Sequence, residues 1–183
     1  MLHSSVECPV AVAPSSPGMA DLDFPRSSLL AFVGYHCLGV YGLYHLASTS
    51  LWTVLFLVAL EPFGLGTTAG AHRLWTHGSY KASTPLKLFL LLAYCIAAPL
   101  NHFSVYSFVK LHRLHHKYSE TDADPHNSRR GFLFAHCTWL LQPLHPEAVK
   151  AGERIDMSDV TADWVIMFQH RHHTALRYRG GLM

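Results

Sequence analysis

Charged residues are few in this sequence. Only 14% of its 183 residues are charged, whereas 50% are hydrophobic. From Ser27 to Ala71 the single charged residue is Glu61. A helical run of that length, at about 1.5 Å per residue, is roughly twice as long as a ~30 Å bilayer core requires. The segment is therefore not an ordinary soluble core, and it predicts two membrane crossings.

Paired cysteines and a secretory signal are also missing. The cysteines show no CxxC spacing, which argues against a disulfide framework and for reduced thiols. They are Cys8, Cys37, Cys95 and Cys137. Residues 1–25 lack the basic stretch and compact apolar run of a signal peptide. Because this leader is rich in Ser, Pro and Ala, we expect a flexible segment over residues 1–26.

The apolar region divides into two predicted spans, 28–47 and 50–70, around a polar break. The nearest basic residues all lie outside these spans, at Arg26, Arg73, Lys81 and Lys87. Because basic residues mark the cytoplasmic side, both outer ends of this hairpin should be cytoplasmic. We expect an all-α integral membrane protein, in which a helical transmembrane hairpin carries a cytoplasmic, histidine-rich helical cap.

Glu61 lies inside the second predicted span and admits two interpretations. An intramembrane carboxylate is a functional candidate by default. Alternatively, Pro62 and Gly64 bend the helix so that Glu61 reaches the membrane interface. The sequence leaves the role of Glu61 open.

Further helical segments are predicted after the hairpin. Residues 85–100 are apolar over about fifteen positions, which is short for a crossing. A helix on or just under the membrane surface is favoured there over a third span. Residues 105–117 are predicted to form a helix. Within the stretch 131–146, an interfacial element is predicted that ends at Pro143.

Histidine is abundant, with 15 residues, and five of them form two clusters after the hairpin. On a helix, positions i, i+3 and i+4 share a face, so His112, His115 and His116 can point into one site. His72 and His77 are five apart, and they converge only if the helix end unwinds or the site lies at their edge. Neutral imidazole is a common metal ligand, so the two clusters predict a metal site.

The donor set favours iron over zinc. A structural zinc site is closed by four ligands and often uses thiolate, and no cysteine lies near either cluster in the sequence. Sites built from imidazole can leave positions open for dioxygen when they hold iron. Zinc remains an alternative at this point.

Two motifs resemble a known family. The stretches "TAGAHRLWTHGSYKA" and "HRLHHKYSETDADPHNSRRG" carry an HxxxxH and an HxxHH box. They resemble the membrane acyl-CoA desaturases of the stearoyl-CoA delta-9 type, over about residues 28–150. The resemblance implies a partial desaturase domain over residues 27–150 and a divergent tail over residues 151–183.

The resemblance also implies a function. Members of that family are multi-pass oxidoreductases of the endoplasmic reticulum membrane. They use a di-iron centre, O2 and electrons from cytochrome b5 to introduce a cis double bond into saturated fatty acyl-CoA. Membrane lipids are then partners, and no nucleic acid is expected. The implied iron ligands are His72, His77, His112, His115 and His116.

The loop "ETDADPHN" offers support for these ligands. Ligating imidazoles usually donate their other N–H to a carboxylate or carbonyl, which makes Asp122, Asp124 and His126 candidates for that role. The alternative is an Asx-rich turn without a metal-related role.

The chain departs from the family pattern at several places. A third HxxHH box and a second hairpin are absent, because no span-length apolar run follows Leu100. The second iron site is therefore expected to be incomplete, and a truncated, catalytically inactive desaturase-like membrane protein is the alternative function. The HxHH group His170, His172 and His173 resembles the family's "FQ" segment more than that box, and its role stays open.

The substrate positions also differ. Where the family reads E-W-x-R-D-H, this chain has "SFVKLH", and where it reads V-R-K-H-P, this chain has "QPLHP". Lys110 is the one obvious cation that remains for the coenzyme A headgroup.

Overall fold

The computed structural model describes residues 26–97 and 103–180, and these residues form helices and turns without a strand. The all-α prediction is confirmed for this part of the chain. Its α-helices are α1 Arg26–His45, α2 Leu51–Leu60, α3 Thr84–Ala97, α4 Val105–Tyr118, α5 Phe132–His136, α6 Pro146–Gly152, α7 Ser158–Ala162 and α8 Trp164–Gly180. The predicted flexible segment, except Arg26, lies outside the described residues, as does Cys8.

One long helix dominates the first half of the structure. Ser50 caps the start of α2, because its hydroxyl accepts the Thr53 N–H at 3.2 Å. α2 continues through a 3₁₀ turn, Glu61–Gly64, into a π-helix, Gly66–Thr76. Within residues 26–97 and 103–180, the continuous helix Leu51–Thr76 is the one that is long and apolar enough to cross a membrane. α1 coincides with the first predicted span, but the hairpin itself stays a prediction.

The surroundings of this long helix change at Gly66. Residues 51–62 are all exposed, whereas residues 66, 70, 71 and 74–76 are buried. The 3₁₀ turn at Glu61–Gly64 confirms the predicted local irregularity, since Pro62 cannot continue the α-helical hydrogen bonding. The N-terminal part of the helix thus presents an apolar surface, and its C-terminal part packs into the helical cap.

α3 packs against the π-helix in an antiparallel direction. Gly66 lies against the backbone of Ala93 and Tyr94, and Gly70 lies against the side chain of Leu90. A Cβ on Gly66 would overlap the backbone N of Tyr94, so this approach requires glycine. The predicted helix over residues 85–100 is therefore observed as α3, and its last three predicted residues lie outside the described ranges.

α3 is two-sided. Leu90, Leu91, Ala93 and Tyr94 are buried, whereas its other face exposes apolar side chains such as Leu92, which is 58% exposed. The buried face joins the main core with residues from the π-helix, α4, α7 and α8. The core places α3 directly beside the elements that carry the histidines.

The rest of the cap is built from short elements. The helix predicted over residues 105–117 is observed as α4. The stretch predicted as an interfacial element forms α5 and the 3₁₀ turn Thr138–Leu141, and its place at a membrane interface stays a prediction. Residues 151–183, predicted as a divergent tail, include α7 and α8. Val160, Val165 and Ile166 are at most 2% exposed, so these two helices are part of the core.

Candidate metal centre

The π-helix explains how the first two histidines meet. The His77 N–H donates to the carbonyl of His72, five residues earlier, at 3.2 Å. The Thr76 hydroxyl donates to the Ala71 carbonyl at 2.7 Å. This i to i+5 pairing widens each turn, so residues five apart stand one turn apart. The Nε2 atoms of His72 and His77 are consequently 3.2 Å apart. The two rings therefore converge through a widened helix, whereas the sequence offered an unwound helix end or a site at their edge.

α4 supplies the second pair of histidines from an ordinary α-helix. Ser104 caps α4, because its hydroxyl accepts the Ser107 N–H at 3.1 Å. His112 and His116 are four residues apart and therefore share a face, and their Nε2 atoms are 3.1 Å apart. This confirms the predicted helical arrangement of the HxxHH box.

The two pairs form one group. One nitrogen from each of His72, His77, His112 and His116 lies within 4.8 Å of the nitrogens of the other three. The ring centroids of His72 and His112 are 4.7 Å apart, and those of His77 and His116 are 4.8 Å apart. The structure thus brings together four of the five predicted ligands, from two elements about forty positions apart in the chain.

The electrostatics of the group favour neutral imidazoles. Burial lowers the pKa of His112 to about 3, with further lowering by the neighbouring charges of His116, His72 and His77. Burial also lowers the pKa of His77, as do His116, His72 and Arg113. At neutral pH both rings therefore keep a lone pair available. A cation held at the centre of the group would be bound by nitrogen lone pairs and would not compete with a proton.

His115 lies beside the group and is turned towards a carboxylate. Its Nδ1 is 2.7 Å from Oδ1 of Asp124, and the Asp124 side chain is 1% exposed. When the carboxylate accepts the Nδ1 proton, Nε2 of His115 is left as an acceptor on the far side of the ring. Its ring centroid is 5.5 Å from that of His116. His115 is thus oriented as a ligand but does not belong to the group of four.

Asp124 also organises the loop after α4. Its Oδ1 accepts the His126 N–H at 2.8 Å, and its Oδ2 accepts the Glu120 N–H at 2.8 Å. The first of these contacts is an Asx turn. The two interpretations of this loop are therefore compatible, because one buried carboxylate closes the turn and orients His115.

The other two candidates from this loop differ from Asp124. Asp122 is exposed, so the structure gives it no position from which to support His115. The His126 ring lies 5.0 Å from the His115 ring and 3.9 Å from the Trp139 ring, measured between centroids. Burial lowers the pKa of His126 to about 4, with a smaller lowering by His115 that is opposed by Asp124. His126 therefore adds a neutral ring beside His115.

Arg113 links the histidine-bearing elements and was not predicted as a site residue. Its guanidinium donates to the Thr76 carbonyl at 3.2 Å and to the Trp75 carbonyl at 2.9 Å, at the end of the π-helix. It also donates to both carboxylate oxygens of Asp159, at 2.8 and 2.7 Å. A planar fork can satisfy several acceptors at once. Arg113 thereby fixes α4 against the π-helix and α7, next to His112.

The remaining site predictions fall outside the group of four. Lys110 is buried, with 6% exposure. Burial lowers its pKa, and Glu153 opposes this effect. His170 is buried against Ser104. Nδ1 of His172 lies 2.8 Å from the Phe168 carbonyl. Within the described residues, the group of candidate metal ligands includes none of His170, His172 and His173.

No protein-family model matches the chain, but curated proteins do. It is 49% identical over 138 residues to Acyl-CoA desaturase 1 of Tachysurus fulvidraco, an overlap of 75% of this chain and 40% of that protein. It is 42% identical over 177 residues to the Acyl-CoA Delta-9 desaturase of Acheta domesticus, an overlap of 95% of this chain and 48% of that protein. It is also 43% identical over 163 residues to Stearoyl-CoA desaturase 2 of Mus musculus, an overlap of 88% and 43%.

The chain belongs with the acyl-CoA desaturases. It spans between 40% and 48% of the length of these curated relatives. The family resemblance predicted from the two histidine boxes is confirmed. This desaturase-like chain also has the apolar helix Leu51–Thr76, which is long enough to cross a membrane.

Proposed function

We propose that this chain is an acyl-CoA desaturase-like oxidoreductase of the endoplasmic reticulum membrane. It introduces a cis double bond of the delta-9 type into a saturated fatty acyl-CoA, with O2 as oxidant and cytochrome b5 as electron donor. The observation that supports this most is the group of four imidazoles, which lies on the two elements that carry the family's histidine boxes. The product belongs to unsaturated fatty acid biosynthesis.

The donor set fits iron. Neutral imidazoles suit iron, and an all-nitrogen set can leave coordination positions for dioxygen. In this proposal His72, His77, His112 and His116 hold one iron, and His115 is a ligand for the second. When bound, the di-iron centre supplies the redox chemistry needed to break unactivated C–H bonds. The protein holds and orients it, and Asp124 fixes the His115 ring through the 2.7 Å contact.

The position of the site fits a lipid substrate. The exposed apolar part of the long helix ends just before the π-helix that carries His72. With α1 as the second arm of a hairpin, both outer ends are cytoplasmic and the site lies above the membrane surface. Lys110 contacts the coenzyme A headgroup in this proposal. An anionic ligand would stabilise the charged form of its ammonium, which burial disfavours.

A catalytically inactive desaturase-like protein is the second candidate. It is favoured by the fact that the described residues hold a single group of three or more candidate ligands. Only His115 is left over from the five predicted ligands. In this alternative the chain binds one metal ion and carries out no oxidation.

The metal content of the purified, detergent-solubilised chain distinguishes these candidates. Iron and zinc would be counted in parallel by elemental analysis, and desaturation of a saturated acyl-CoA would be assayed with reduced cytochrome b5. About two irons per chain with an unsaturated product supports the desaturase. One metal ion without product supports the inactive protein. Absence of iron from a folded chain grown with iron would contradict the iron centre.

Two histidine variants test the ligand assignment. The sequence predicts that His115→Ala and His116→Ala each abolish metal binding. The geometry refines this expectation, because His116 is in the group of four and His115 is beside it. We expect His116→Ala to remove the ion of this group and His115→Ala to remove only a second ion. Full metal content in the His116→Ala variant would exclude the assignment.

A further inference from the structure

α8 contacts the beginning of α4 through two consecutive polar side chains. The Nδ1 atom of His170 lies 2.7 Å from the Ser104 hydroxyl. The Oε1 atom of Gln169 accepts the Val105 N–H at 3.1 Å. Ser104 is 1% exposed and His170 is 8% exposed. Residues about 65 positions later in the chain therefore hydrogen-bond to the N-terminus of the helix that carries His112 and His116.

A buried helix N-terminus requires such partners. The first N–H groups of an α-helix have no acceptor within the helix, and burial removes water as a substitute. The Ser104 hydroxyl accepts the Ser107 N–H at 3.1 Å. Gln169 satisfies the Val105 N–H, which lies outside the reach of this cap. α8 thus completes a cap that α4 begins.

The hydrogen bonds of the Ser104 hydroxyl indicate what His170 contributes. The Ser104 hydroxyl has one proton and two acceptor sites. If Nδ1 of His170 accepts that proton, both acceptor sites stay available for the N–H and hydroxyl of Ser107, the latter 3.0 Å away. Burial lowers the pKa of His170, which is consistent with a neutral ring that accepts at Nδ1. Its ring also packs on Tyr106, with a centroid distance of 4.6 Å.

The beginning of α4 is rigidly connected to the histidines. His112 lies eight residues after Ser104, which is about two helical turns. Val105 and Val109, on the intervening turns, are 0% exposed. Rotation or translation of α4 at Ser104 would therefore displace His112 and His116 relative to His72 and His77.

We propose that Gln169 and His170 are positioning residues for the metal centre, which act by fixing the N-terminus of α4. The segment "FQHRHH" then contributes alignment of a ligand-bearing helix and no metal ligands. This inference rests on the proposed metal centre, because it assigns a function to the orientation of α4.

Cobalt binding to the full chain tests the inference. The chain would be titrated with Co²⁺ and followed by its visible absorption, which reports the geometry of the bound ion. We expect His170→Ala to lower the Co²⁺ affinity by about 10- to 100-fold, as for other residues that orient ligands, and to change the spectrum. His170→Asn, whose amide oxygen can accept the Ser104 hydroxyl, should restore most of both. His172→Ala is the control, because the exposed His172 side chain contacts the carbonyl and the ring of Phe168 on its own helix, and this variant should bind Co²⁺ normally.

Hydrogen exchange of α4 separates this inference from the proposed metal centre. The His170→Ala variant should exchange the amides of residues 105–109 faster than wild type, with or without metal. If wild type binds Co²⁺ but the variant changes neither binding nor exchange, the positioning role is wrong and the metal centre stands. If wild type binds no Co²⁺ but exchange in α4 rises in the variant, the metal centre fails and the fixing of α4 stands. Failure of both would overturn both.

Discussion

At the scale of single residues, Asp124 has the most concentrated set of contacts near the metal centre. It accepts hydrogen bonds from His115, from Glu120 and from His126. Both oxygens of this buried carboxylate are therefore satisfied by hydrogen bonds, as burial of a polar group requires. The loop and the orientation of His115 therefore depend on the same group.

The variant Asp124→Asn tests the contribution of these hydrogen bonds to stability and metal binding. The amide cannot offer two charged acceptors, so we expect a loss of about 1–3 kcal/mol in the free energy of unfolding. We also expect metal bound through His115 to weaken about 10- to 100-fold. Asp122→Asn is the matched control, because Asp122 is an exposed aspartate of the same loop. Equal effects of the two substitutions, in thermal unfolding and metal titration, would argue against this account.

Asp159 gives a pH-dependent prediction. The hydrogen bond from Arg113 is the main cause that lowers the pKa of Asp159, and burial opposes it. A carboxyl group with a lowered pKa in the folded state stabilises the fold above its unfolded pKa of about 3.9, and this contribution is lost as the pH falls through the folded value. The Asp159 side chain is 63% exposed, so the contribution is below about 1 kcal/mol.

The measurement is the Tm difference between wild type and Asp159→Asn. We expect wild type to be slightly more stable at pH 7, and the difference to shrink as the pH falls below about 3.9 and through the lower folded pKa of Asp159. A difference that stays constant from pH 7 to pH 3 would show that the charge of Asp159 contributes nothing to the fold.

At the scale of secondary structure, the approach of α3 to the π-helix is set by a single glycine. Gly66→Ala would place a Cβ against the backbone of Ala93 and Tyr94, and backbone cannot move aside as a side chain can. We expect a loss of about 1–3 kcal/mol from overpacking and a displaced His72. Gly64→Ala is the control, because a Cβ there would meet nothing within 4 Å. Thermal unfolding and Co²⁺ binding of both variants check this, and similar results for the two would rule out the close approach.

The elements also show what could be predicted from sequence. The apolar run and the i, i+4 spacing of His112 and His116 were sufficient to place α4 and its histidines, because these depend on local periodicity. The π-helix was not predicted, since its widened turns depend on packing against α3 and on contacts such as the Tyr80 hydroxyl with the Ala69 carbonyl, at 2.8 Å. Arg113 and Gln169 were missed as site residues, and the role of His170 was left open, for the same reason. Their partners lie at least 37 positions away in the chain.

At the scale of the whole molecule, the membrane topology of the proposed hairpin can be tested directly. The proposed hairpin predicts that Thr49 lies on the side of the membrane opposite to Lys81. Lys81 is exposed and Thr49 is partly exposed. In a background without the native cysteines, a single cysteine at position 81 should react with a membrane-impermeant maleimide added to the cytoplasmic face of sealed microsomes. A cysteine at position 49 should react only after the vesicles are opened. Labelling of both in sealed vesicles would contradict the hairpin.

The continuity of the helix Leu51–Thr76 has a mechanical consequence. Its exposed part and the part that carries His72 belong to one continuous helix with a 3₁₀ turn between them, so a change in tilt at one end displaces the other. Helices adjust their tilt to the thickness of the surrounding bilayer at a cost of fractions of a kcal/mol per Å. In the proposed membrane arrangement, the spacing between His72 and the α4 histidines would therefore respond to bilayer thickness, and membrane composition would adjust the proposed metal centre from outside the protein.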